Sequence, residues 1–153
     1  MAVKEGGVGH QILPEAWYNF DMEATFHNQH GISTWDWDYG FQFHTNGLSK
    51  DFIVLDSSGR WYHRTTDGTV GDSVAEGTFA ASLLDTHAYG SNKLRLTVNG
   101  TSGKFYMNGT NIADIRIRSL PRGSGLGILT CTFWKSCTKP TTVKVTDFKA
   151  SPL

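Results

Sequence analysis

Apolar and polar residues alternate with a period of two along most of this chain, broken at short intervals by Gly, Asn, Asp and Ser. Phe20, Met22, Ala24 and Phe26 alternate with Asp21, Glu23 and Thr25, which predicts a strand with one apolar face. Tyr39, Phe41 and Phe43 alternate in the same way with Gly40, Gln42 and His44. Phe52 to Leu55 is a continuous apolar run closed by Asp56-Ser57-Ser58-Gly59, and Trp61-Tyr62 opens the return. Asp, Ser and Gly supply turn conformations, so this reads as a hairpin. Leu94, Leu96 and Val98 run to Asn99-Gly100; Phe105 and Met107 run to Asn108-Gly109; Ile112, Ile115 and Ile117 follow. Asn-Gly suits the positive φ of a type I′ turn, and two such pairs predict a three-strand meander. A glycine-rich strand is expected over 123–132 and a closing strand over 143–148. Asp67-Gly68 and Gly71-Asp72 mark a polar loop, and a short helix is expected around 79–84 within 74–88. Ten to twelve strands are predicted, with no linker, repeat or low-complexity tract.

Composition sharpens this picture. Of 153 residues, 17 are Gly, 12% are aromatic and only 18% are charged, which suits many tight turns between aromatic-rich strands. The expectation is one all-β domain over 1–153, with its core at about 17–150, built as a two-sheet antiparallel β-sandwich. Fourteen basic residues balance fourteen acidic ones, so no electrostatic attraction to nucleic acid or anionic membrane is expected. No apolar stretch approaches the ~18 residues of a membrane span, and no signal-peptide pattern precedes Gly9. Met1-Ala2 is compatible with a domain excised from a longer secreted chain.

The densest aromatic segment is Trp35-Asp36-Trp37-Asp38-Tyr39-Gly40-Phe41. A ring face suits the C–H face of a sugar, and flanking polar groups suit its hydroxyls. Trp35, Trp37 and Trp61 are expected as stacking platforms, with Tyr39 and Tyr62 as secondary walls. Asp38, Gln42, His44 and Arg64 are expected to bind hydroxyls, with Gly40 leaving room beside them. Phe41 and Phe43 read as core. Trp61 and Tyr62, beside Arg60, His63 and Arg64, form a second polar-aromatic group, and Trp134 marks a third.

Carboxylates two apart on a strand, Asp21/Glu23 and Asp36/Asp38, lie roughly 6–7 Å apart by strand rise, within the range of glycosidase pairs. Acidic residues alternating on a strand also describe an ordinary solvated face. His27 and His30 have no ligand cluster around them, so no zinc site is expected. No cofactor is expected, and a structural calcium ion is left open without an assigned site. Cys131 and Cys137 are the only cysteines. A disulfide between them would hold Trp134 in a small loop and add about 2 kcal/mol; two reduced thiols are the alternative. Asn99-Gly-Thr and Asn108-Gly-Thr match the glycosylation acceptor pattern, although turns explain them more simply.

The ordered series Trp37-Asp38-Tyr39-Gly40-Phe41-Gln42-Phe43, Ser58-Gly59-Arg60-Trp61, Asn92-Lys93-Leu94-Arg95-Leu96, Tyr106-Met107-Asn108-Gly109, Ile112-Ala113 and Thr146-Asp147-Phe148 resembles the concanavalin A-like lectin/glucanase superfamily, in particular bacterial extracellular laminin-G-like modules. The resemblance spans about 17–150 and implies a jelly roll, often carbohydrate-binding on its concave sheet or rim. The acidic Glu-x-Asp-x-x-Glu strand of the superfamily's glucanases is absent. The expected function is therefore non-catalytic recognition of a polysaccharide or oligosaccharide by an extracellular module, linked to a secreted enzyme or receptor. A small hydrolase or lyase, and an adhesion or sensor domain without sugar binding, are the alternatives.

Overall fold

The computed structural model describes residues 2–4, 12–13, 17–28, 37–46, 49–66, 72–117, 125–130 and 142–153. Within them lie twelve strands. They are β1 (Ala2–Lys4), β2 (Ile12–Leu13), β3 (Phe20–His27), β4 (Asp38–Asn46), β5 (Ser49–Asp56) and β6 (Arg60–Thr66), followed by β7 (Asp72–Thr78), β8 (Ser91–Asn99), β9 (Ser102–Met107), β10 (Thr110–Arg116), β11 (Leu126–Thr130) and β12 (Thr142–Pro152). One six-stranded antiparallel sheet has the order β1-β12-β3-β8-β9-β10 and the other β2-β11-β4-β5-β6-β7. The all-β, two-sheet sandwich expected from the alternation is what the chain forms.

Alternation on each strand decides which side chains meet between the sheets. Phe20, Met22, Ala24 and Phe26 of β3 are fully buried, and so are Phe41, Phe43, Ile53 and Leu55 of the opposite sheet. Phe26 meets Phe41 edge-on at 6.0 Å between centroids, and Phe41 meets Phe105 at 6.5 Å, geometry that adds to simple area burial. Tyr39 and Trp37 continue the same inward-facing series, and Trp61 joins it from β6.

Turn chemistry sets the register of the meander. Met107 pairs with Thr110, so Asn108 and Gly109 form a two-residue turn, both at positive φ (48° and 85°), as the type I′ reading requires. The first hairpin differs. Asn99 pairs with Ser102, so the turn residues are Gly100 and Thr101, with only Gly100 at positive φ (61°), the pattern of a II′ turn. Asn99 therefore ends the strand instead of entering the turn.

The expected helix around 79–84 is reduced to one 3-10 turn, Ala81–Leu83, and the segment before it is strand β7. The apolar residues Val74 and Ala75 lack helical spacing, and pairing with β6 completes the sheet edge. Gly40 also has a different reason from the one expected. A Cβ at this position would collide with the Ile53 carbonyl, so the glycine admits the neighbouring strand's backbone and does not make room for a ligand.

Candidate functional site

The register of the second sheet places its outward-facing residues in rows. Gly40 lies opposite Leu129 and Val54, and Val54 opposite Tyr62, which lies opposite Glu76. One row along, Gln42 lies opposite Gly127 and Phe52, and Phe52 opposite Arg64. Asp38 lies opposite Asp56. Asp38, Gln42, Tyr62 and Arg64 thus share one face, as strand parity predicts.

That face has two halves. On β11, β4 and β5, Asp38, Gln42, Val54 and Leu129 are buried, so this half is closed to solvent. On β6 and β7, Arg60 and Glu76 are exposed, and Tyr62, Arg64 and Asp56 are half-buried. The open half is organised around the Tyr62 ring. Its hydroxyl donates to Asp56 Oδ2 at 3.1 Å, and the Arg64 guanidinium lies 5.8 Å from the ring centroid. The Arg60 side chain hydrogen-bonds the same phenol. Burial and the Asp56 carboxylate hold the Tyr62 phenol above its ordinary pKa, against the pull of Arg60, so it remains a neutral donor at physiological pH.

Asp56 is held firmly. Its Oδ1 accepts from the Ser58 amide (2.9 Å), the Ser58 hydroxyl (2.6 Å) and the Arg60 amide (3.1 Å). The β5–β6 turn therefore fixes the carboxylate that orients Tyr62. Arg60, Arg64, Asp56 and the cross-strand Glu76 thus group two guanidinium groups and two carboxylates on the open half, and these four charges balance.

Several expected site residues lie elsewhere. Trp37 and Trp61 are each only 9% exposed and belong to the core, as does Tyr39, whose ring is sandwiched between Trp37 (4.6 Å, 5°) and Phe26 (4.5 Å, 7°). They are therefore corrected from exposed platforms to core. The physical reason is parity: Tyr39, Phe41 and Phe43 are two apart on β4 and Trp37, just before it, keeps the same spacing, so all point inward together. Trp61 and Tyr62 are adjacent, so only one of them can face outward. Asp38 and Gln42 are on the expected face but buried, which removes them from direct contact with a ligand as placed. Trp35, Asp36, Trp134, Cys131, Cys137 and the side chain of His44 lie outside the described residues, so the disulfide and its loop do too. Arg60 belongs to the polar-aromatic group that the sequence marks around Tyr62, whereas Asp56 and Glu76 were not anticipated. Asp56 reads as a turn residue, and it takes the β5–β6 turn and the β6–β7 register to bring Asp56 and Glu76 to Tyr62.

The acidic pair Asp21/Glu23 lies on the outer face of the other sheet and is fully ion-paired. Lys149 Nζ and Lys93 Nζ lie 2.7 and 3.0 Å from Glu23 Oε1, and Arg95 Nε donates to Asp21 Oδ1 at 2.9 Å. Burial pushes the Glu23 carboxyl up, but the two ammonium groups together outweigh it, so Glu23 titrates below its ordinary value. A general acid needs the opposite shift. Inside the sandwich, His63 Nε2 lies 3.2 Å from Asp51 Oδ1, with both side chains buried and the imidazole stacked on Phe43. Among the described residues no group of three or more His, Cys, Asp or Glu is placed to hold a metal ion. No helix among them is long and apolar enough to cross a membrane.

No family model matches the sequence, and no curated protein matches it. Solved structures do match the fold. Carbohydrate-binding module CBM66 from Bacillus subtilis superposes with a TM-score of 0.67 at 10% identity, over 95% of this chain and 82% of the module. Chicken galectin 2 superposes with a TM-score of 0.65 at 11% identity, over 95% of this chain and all of the galectin. The fold shared with these structures is the two-sheet β-sandwich jelly roll. A fructosyltransferase from A. japonicus contains the same sandwich, with a TM-score of 0.70 at 10% identity over 99% of this chain but only 25% of the enzyme. The jelly roll thus matches a whole galectin, most of a carbohydrate-binding module and a quarter of a larger enzyme.

Proposed function

We propose that this jelly roll is a non-catalytic carbohydrate-binding module, that the chain 1–153 acts as one unit, and that the open half of the β5–β7 face is its binding surface. The observation that carries this reading is the Tyr62 cluster: a half-buried ring fixed by Asp56 and flanked by Arg60, Arg64 and Glu76. A ring face offers an apolar surface for sugar C–H groups, and the ionic groups beside it accept from and donate to hydroxyls. Charge cancellation around the ring favours a neutral glycan over a sulfated or uronate-rich one, since no net field attracts anions. The carbohydrate-binding module and the galectins among the structural neighbours support the ligand class. The ion-paired state of Asp21 and Glu23 supports binding without turnover.

The reading extends to an extracellular module attached to a carbohydrate-active enzyme or a receptor; the sandwich's occurrence within the fructosyltransferase supports the first of these. Affinity gels containing mixed-linkage β-glucan, xylan, glucomannan, inulin or polygalacturonate test it, with reducing-end and unsaturated-product assays on the same mixtures. Retardation by a neutral polymer, without product, is the expected outcome. Tyr62→Ala should reduce that retardation at least about tenfold, on the order of 1.4 kcal/mol, while leaving the fold intact. Product release, or no retardation by any polymer, would overturn the proposal.

A further inference from the structure

We propose that Tyr89, on the loop between β7 and β8, is a second sugar-stacking platform at the rim of the sandwich. The inference rests on the carbohydrate reading above but uses different residues. Tyr89 is 85% exposed, and no hydrogen bond or ring contact ties down its side chain among the described residues. Its backbone lies in the left-handed region at φ 65°. The Gly90 amide donates to the His87 carbonyl at 3.1 Å, so residues 87–90 form a turn with Tyr89 at its third position. Positive φ there calls for Gly or Asn. The chain places a tyrosine at that position and its glycine one residue later, where a Cβ would collide with the Asp85 carboxylate.

The loop is rigidly held in this conformation. Tyr89 N donates to Asn28 O and Asn28 N to Gly90 O, both at 2.8 Å, extending the β3–β8 ladder by one rung. The buried Asn28 amide group donates to the carbonyls of Asp85 (2.6 Å) and His87 (3.1 Å). Asn92 and Asn108 bind the same loop from below, at Asp85 and Leu83. An unfavourable backbone conformation that the surroundings enforce, carrying an aromatic ring into solvent, points to a ligand.

The ligand class follows from the setting. Thr86, His87, Ala88 and Ser91 surround the ring in sequence, and the His87 side chain is 91% exposed beside the Asp85 carboxylate. One ring within polar groups lacks the contiguous apolar area a protein partner needs, and suits a sugar. The β5–β6 turn lies at the same end of the sandwich, since Phe79 N, at the start of this loop, donates to Gly59 O at 3.0 Å. Tyr89 thus stands at the same end of the sandwich as the turn that holds Asp56.

The test uses the whole chain, the same polysaccharide gels and a thermal melt for each variant. Tyr89→Gly removes the ring and the backbone strain together. It is expected to weaken retardation at least fivefold with an unchanged or raised Tm, whereas Tyr89→Trp keeps binding within twofold. Undiminished retardation of Tyr89→Gly, with wild type bound, overturns the rim site alone. A lowered Tm in Tyr89→Gly, with binding lost in Tyr89→Trp as well, assigns the residue a structural role and also overturns it. A wild-type chain that no polymer retards overturns both this inference and the function on which it rests.

Discussion

Trp37 and Tyr62 are both aromatic residues with polar sequence neighbours, yet one builds the core and the other the surface. The Trp37 ring packs flat on Tyr39 and is almost fully enclosed, while the Tyr62 ring faces outward between two arginines. Truncating the first removes a large buried volume, so Trp37→Ala should cost ~3–5 kcal/mol, read as a lower denaturant midpoint. Trp37→Phe should cost clearly less, because it keeps a ring in the stack and removes a buried indole N–H that has no acceptor among the described residues. An equal loss from both substitutions would argue against the stack as the source of stability. The sequence does carry the parity that separates these residues. The alternation that sends Phe41 and Phe43 inward, extended back by four residues, also sends Tyr39 and Trp37 inward. Local composition around Trp37 hides this, because Asp36 and Asp38 suggest a surface.

Strands and hairpin turns were legible because each is decided by neighbours in sequence: β3 by its alternation, the β9–β10 turn by Asn108-Gly109. The loop from β7 to β8 was not, because its conformation depends on distant asparagines. Asn92 is buried and makes four bonds. Its Oδ1 accepts from Asp85 N (2.8 Å) and Asn108 Nδ2 (2.9 Å), and its Nδ2 donates to Tyr39 Oη and Asp85 O (2.8 Å each). Nothing in local sequence signals such a convergence from β4, β8, the β7–β8 loop and the β9–β10 turn. Asn92→Ala leaves several buried groups unpaired at once and should destabilise by at least about 2 kcal/mol. Hydrogen exchange should speed up over 83–90 more than in β3 or β8. Uniform acceleration across the sheet would show instead that the loop and the strands open together. The Tyr62 site was legible in part: Arg60, Tyr62 and Arg64 alternate on β6, but the turn-held Asp56 carboxylate and Glu76 reach them only through the β5–β6 turn and the β6–β7 pairing.

Across the whole molecule the two outer faces carry different electrostatics. The face of the first sheet is an ion-pair array, with Asp21, Glu23 and Asp114 each facing a cation. Glu23 titrates below its ordinary value of 4.5, with burial opposing and Lys149 and Lys93 prevailing; Asp85 is lowered chiefly by the His87 amide, and Asp114 by Asn111 and Lys104. A carboxyl whose folded pKa is depressed contributes stability above its unfolded pKa, and that contribution disappears as pH falls through the folded value. Urea midpoints should therefore hold above about pH 5 and decline below about pH 4. Glu23→Gln should flatten part of that decline, and an unchanged slope would remove Glu23 from the account.

The stack of Phe26, Tyr39 and Trp37 crosses from one sheet to the other, with three rings nearly parallel at about van der Waals spacing. Rings held so rigidly in a chiral array couple their electronic transitions, so the native chain should show an intense near-ultraviolet dichroic band. That band reports the docking of the two sheets and not strand content. In an acid-expanded state it should vanish while the far-ultraviolet strand signal persists, and Trp37→Phe should remove most of it from a chain that is still folded.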